Sequence, residues 1–125
     1  MKVKEILDFD SFSNEQDVLV TDGEYTLMCY NMGIQEFSAN MQIQNNLSAF
    51  MAHNIYRADN NFCYVEKLSN GYYAYELCGE LINREKNGGT VKIGEIFVDI
   101  TDYIPNDIQS GEYICFKVDR IDLFK

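Results

Sequence analysis

The chain has 125 residues, 46% of them hydrophobic and 14% aromatic, which is enough for one domain to bury a core without disulfide or metal staples and too apolar for disorder. Its formal charge of −10, from 20 Asp and Glu against 10 Lys and Arg, opposes phosphate neutralisation and so argues against a nucleic-acid partner. No run approaches the roughly 20 apolar residues of a membrane span, and residues 1–8 turn acidic too early for a secretory signal, so 1–125 is expected to be a single β domain of the cytoplasm without a membrane partner.

In chain order, residues 3–9 form the first expected strand, 10–16 a polar loop and 17–21 a second strand. Asp22-Gly23 between β-prone runs predicts a tight hairpin into 25–30, because both positions of such a turn favour positive φ. Residues 31–46 are rich in Asn and Gln and aperiodic, and are expected to be a long connection. The segment 47–58 fits either a helical face or an alternating strand; Asn54, Ile55 and Tyr56 suit a helix interior poorly and favour the strand.

Residues 62–68 and 72–83 are expected to pair through a turn at Asn70-Gly71. In the second of these, Tyr73, Tyr75, Leu77, Gly79 and Leu81 share a face, with a bulge or bend expected at Gly79. Turns at Asn87-Gly88-Gly89 and at Gln109-Ser110-Gly111 lead into strands at 91–100 and 112–124, with a further connection at Pro105. The fold class expected is mostly β: a small OB-like barrel, closed or partly open and antiparallel, of about six to eight strands with at most one short helix; the alternative is a β-sandwich.

The closing segment, from Ile104-Pro105-Asn106-Asp107 through Gly111-Glu112-Tyr113-Ile114-Cys115-Phe116 to Leu123, resembles the last turn and strand of OB-like small barrels. With Tyr72-Tyr73-Ala74-Tyr75-Glu76-Leu77-Cys78-Gly79-Glu80-Leu81 it is similar to small bacterial OB-like proteins of no established activity. The resemblance implies architecture alone and brings no site residues, since one fold serves many functions.

Cys29, Cys63, Cys78 and Cys115 form no C-x-x-C pair and lie in apolar stretches, so all four are expected to be buried free thiols. With His53 the single histidine, neither a zinc site nor a Cys-His nucleophile is expected. Asp8-Phe9-Asp10 with Glu15 and Asp17 fails as an EF-hand, because Phe12 falls at a ligand position and the turn glycine and closing Glu are missing. A weak oxygen site at Asp8, Asp10 and Asp17 is the residual alternative; otherwise no metal and no cofactor is expected. Motifs of hydrolases, nucleotide binders and zinc proteases are missing, and carboxylate pairs such as Glu76 and Glu80 arise by chance among so many acids, so no enzyme is expected.

Acidity is segmental: residues 5–36 carry eight Asp or Glu and 93–116 carry five, and neither stretch has a Lys or Arg. Nine tyrosines and eight phenylalanines are more rings than a small barrel hides, so some tyrosines should face solvent. The candidate binding surface is Tyr64, Tyr72, Tyr73 and Tyr75 with Asp8, Asp10, Asp17, Asp99 and Asp102. The function expected is a non-enzymatic interaction module for a basic protein partner. Alternatives are an immunity-type inhibitor of a basic toxin, and a binder of a small ligand or oligosaccharide on a tyrosine-lined surface.

Overall fold

A computed structural model describes residues 1–123 and places eleven strands among them: β1 (Lys2–Phe9), β2 (Gln16–Thr21), β3 (Thr26–Asn31), β4 (Leu47–Phe50), β5 (His53–Arg57), β6 (Tyr64–Lys67), β7 (Tyr75–Arg84), β8 (Gly89–Ile93), β9 (Ile96–Ile100), β10 (Tyr113–Val118) and β11 (Arg120–Asp122). The mostly β expectation holds. Eleven strands exceed the six to eight expected because three of the predicted runs are each two strands. Residues 47–58 break at Met51, where φ is 60°; 91–100 reverses between Ile93 and Ile96; and 112–123 breaks at Asp119, whose N–H donates to Phe50 O at 3.1 Å. The end of the last predicted run, residue 124, lies outside the described residues.

The strands follow one path, β1-β2-β3-β11-β4-β9-β8-β7-β10-β5, with β6 on β7. β1 and β5 end this path and do not pair with each other, so the sheet is open rather than a closed barrel. Two antiparallel meanders, β1-β2-β3 and β7-β8-β9, are joined through β11 and β4, which pair in parallel with β3 and β9 respectively. The sheet curls so that the meanders share one core: Val18, Val20 and Leu27 lie with Leu77, Leu81, Val91, Val98 and Phe116, all fully buried. Burial of this apolar set is the main stabilising term, at about 25 cal/mol per Å² removed from water. No helix among the described residues is long and apolar enough to cross a membrane.

Three local expectations change. The hairpin at Asp22-Gly23 exists, but its turn spans the four residues between Thr21 and Thr26, with positive φ at Gly23 alone of that pair. The loop between β6 and β7 runs from 68 to 74, so Tyr72 and Tyr73 lie in it and not on a strand. The bulge in β7 falls between Leu81 and Asn83. Gly79 is required for a different reason: a Cβ there would sit 2.4 Å from the Lys92 carbonyl oxygen, so the neighbouring backbone excludes any side chain.

Cys78 and Cys115 are joined by a disulfide, which corrects the expectation of four free thiols. β7 and β10 set them directly opposite each other, with a Cα–Cα separation of 4.1 Å, the close approach of a non-hydrogen-bonded pair. They face away from Leu77 and Phe116, in a row with Tyr64 of β6 and Tyr56 of β5. Cys29 and Cys63 are free, and burial pushes the Cys29 thiol far up, out of reach of thiolate chemistry.

Asp22 ties the two meanders together. Its Oδ1 accepts from the N–H groups of Glu24 (2.9 Å) and Tyr25 (2.7 Å), and its Oδ2 accepts from Glu95 N–H (2.7 Å) in the β8–β9 turn. Burial alone would raise this carboxyl's pKa, but the amides of Glu95, Tyr25 and Glu24 together outweigh it and hold the pKa below the ordinary value. A depressed folded pKa contributes stability that is present above the unfolded value, near 3.9, and lost as pH falls through the folded one. Asp22→Asn is therefore expected to lower stability at neutral pH and to flatten its decline below about pH 4; equal acid limbs in chemical denaturation of both proteins would refute this.

Candidate functional site

Four of the predicted surface residues meet at one open end of the first meander. A cavity of about 140 Å³ is lined by Asp8, Asp10, Glu15, Gln16, Asp17, Tyr30 and Tyr73. Strand register builds it: Asp8 of β1 is opposite Asp17 of β2, and Asp17 is opposite Tyr30 of β3. The three side chains therefore stand on one face in a row. Asp10 and Glu15 close the β1–β2 turn, where Asp10 N–H donates to Glu15 O at 2.8 Å.

The tyrosines come from two directions. Tyr73 reaches in from the β6–β7 loop and donates its hydroxyl to Asp17 Oδ1 at 2.6 Å, which orients a carboxylate that is 7% exposed. Its ring packs edge-on to Tyr30 at 5.8 Å and to Tyr72 at 4.8 Å between centroids. Burial, and next the hydrogen bond to Asp17, push the Tyr73 phenol well up. Burial followed by Glu15 does the same for Tyr30, while the Asp17 charge raises exposed Tyr72. All three phenols are thus neutral at physiological pH, leaving the carboxylates as the charge of the site.

Opposite-facing like charges on paired strands destabilise a sheet, and here Asp8 and Asp17 face each other with Asp10 and Glu15 beside them. The nearby cation, Arg120, stacks on Tyr30 at 4.6 Å and on Phe50 at 4.3 Å and is already bonded to Asp122. Tyr30 is thus a ring that the protein itself uses to hold a guanidinium, bordering a cavity rich in carboxylate oxygens. Chemically this arrangement can accept a cation through charge-assisted hydrogen bonds and ring faces. Among the described residues no group of three or more His, Cys, Asp or Glu has the arrangement of a metal site.

The other predicted surface residues lie elsewhere. Tyr75 is 6% exposed, a core residue whose hydroxyl oxygen accepts from Met28 N–H at 2.9 Å, so it cannot serve a surface platform. Tyr64 stands on β6 beside Phe62, 6.2 Å away. Asp99 accepts from Asn46 Nδ2 and Thr90 Oγ1, and Asp102 from Ala52 N–H; both serve as structural ties outside the cavity. His53 is on the exposed edge strand β5, with Nδ1 2.8 Å from Met51 O and no thiol among its hydrogen-bond partners in the described residues. The candidate surface read from the sequence leaves out Tyr30 and Gln16, which strand register brings in, and Glu15, which enters there only as part of a failed calcium loop.

Comparison with protein-family models, with curated proteins and with solved structures returns no match.

Proposed function

We propose that the chain is a non-enzymatic interaction module that takes a cationic side chain of a basic protein partner into the cradle formed by Asp8, Asp10, Glu15, Asp17, Tyr30 and Tyr73. The observation that carries this reading is the facing of Asp8 and Asp17 beside two neutral tyrosine rings in an open cavity. That crowding costs the free fold stability, and a bound cation would relieve it. An inhibitor of a basic toxin is one instance of the same reading. The OB-like resemblance is carried forward as a proposal about architecture and does not bear on the ligand.

The test is a titration with a fluorescent oligoarginine peptide, with oligoglutamate as control. Oligoarginine is expected to bind, to weaken as salt rises, and to lose affinity on Asp10→Asn. Absence of binding at low salt, or affinity indifferent to the substitution, would refute the proposal. A second reading, a small free cation as ligand, is favoured by the limited size of the cavity; free arginine competing as well as the peptide, residue for residue, would select it.

A further inference from the structure

The cradle is flanked by large apolar side chains that the fold leaves in water. Phe12 is fully exposed and Ile34 is 74% exposed, with Met32 and Phe9 roughly half exposed nearby in the chain. These do not dangle. Asp10 Oδ1 accepts from Phe12 N–H at 2.9 Å, and Asn14 N–H donates to Asp10 O at 2.7 Å, so the turn presenting Phe12 is bonded from within. Gly33 lies against that turn so closely that a Cβ would fall 2.3 Å from Ser13 O, which brings Met32 and Ile34 to the same end as Phe12.

The residues that hold these loops also line the cradle. Asp10 braces the Phe12 turn. Buried Gln16 accepts from Phe37 N–H and from Asn31 Nδ2, each at 2.8 Å, and donates to Phe37 O. Asn31 Nδ2 in turn donates to Gln35 O at 2.6 Å. Apolar tip and acidic cavity thus share one bonded framework. Exposed apolar groups held in place beside a charged rim are the composition of an interaction surface.

Resting on the proposed function, we infer that the tip of Phe12, Met32 and Ile34 extends the cradle into a docking surface for a basic amphipathic segment of a partner protein, one in which Arg or Lys alternates with apolar residues. Charge selects the occupant. Residues 5–36, which supply both tip and cradle apart from Tyr73, carry eight acids and no Lys or Arg, so a second copy of this chain or an anionic lipid surface meets like charge, whereas a basic segment meets complementary charge. The apolar residues of that segment cover the tip while its cation enters the cavity.

Two peptides with equal numbers of arginines, one pure oligoarginine and one interleaved with leucine, separate this inference from the reading it rests on. The interleaved peptide is expected to bind about tenfold tighter, the effect of burying one or two half-exposed apolar side chains. The double variant F12S/I34S, altered at exposed positions, is expected to bring it back to the oligoarginine value and to leave oligoarginine unaffected. Equal affinity of the two peptides, or an unchanged preference in the variant, overturns the tip while the cradle stands. Binding of neither peptide overturns both. Sedimentation of the wild type, but not of F12S/I34S, with phosphatidylcholine vesicles would assign the tip to a lipid surface and overturn the inference.

Discussion

Replacing both Cys78 and Cys115 by alanine is expected to lower the unfolding free energy by about 2–4 kcal/mol, and the melting temperature by on the order of 10 °C. The two cysteines are 37 residues apart, so the bridge removes loop freedom from the unfolded chain while β7 and β10 already hold its ends together in the native ladder. Alanine keeps each buried position apolar but removes both Sγ atoms, so the loss includes a packing cost beside that of the cross-link. Thiol titration checks the premise: the denatured protein should show two thiols, from Cys29 and Cys63, and four after reduction. Four thiols before reduction, or an unchanged denaturation midpoint in the double variant, would sink the prediction.

Strand-forming character was legible along the chain because it is local: β-branched and aromatic residues, period-two alternation and Gly-containing turns suffice for it. Register was not, because it depends on turn length. A two-residue turn at Asp22-Gly23 would place Met28 opposite Asp17, whereas the four-residue turn places Tyr30 there. The lengthening follows from Asp22, whose carboxylate is bonded to Glu24 and Tyr25 N–H groups inside the turn and to Glu95 across it, the last a tertiary interaction that no local pattern announces. Tyr30 was therefore invisible as a site residue although both strands were anticipated.

The same physics moved Tyr72 and Tyr73. A tight Asn70-Gly71 turn would have put them on β7, one residue out of the observed pairing of Lys67 with Tyr75, and a shift of one residue exchanges the two faces of a strand. Tyr75 belongs to the core because it shares its face of β7 with buried Leu77 and Leu81, the face the alternation had given it, while Tyr73, freed from the ladder, bends back to Asp17. The disulfide was hidden for a related reason: β7 and β10 pair across 37 residues, and cysteine spacing carries no trace of which strands become neighbours. Acidic clustering at Asp8, Asp10 and Asp17 was legible because those residues occupy one hairpin, while Asp99 and Asp102 were drawn in by composition alone.

The double variant D8N/E15Q is expected to be more stable than the wild type when free and to bind oligoarginine more weakly. The amides keep the shape of the side chains and one acceptor oxygen each, enough for the bond that Asp8 accepts from Phe9 N–H, but remove two of the four charges crowded at the cavity. Cross-strand like charges destabilise, so the melting temperature should rise, and added salt, which screens the repulsion, should stabilise the wild type more than the variant. Binding moves the other way: each hydrogen bond to a ligand cation that ceases to be charge-assisted weakens affinity roughly tenfold. At a hundredfold excess over its dissociation constant, oligoarginine should stabilise the wild type by about 2.7 kcal/mol, and this ligand-induced shift should largely vanish in the variant at the same concentration. Opposed signs are the discriminating feature. A purely structural role for these carboxylates predicts a less stable variant with unaltered binding, whereas carboxylates held together against their mutual repulsion for the sake of a cationic partner predict a gain in one measurement and a loss in the other.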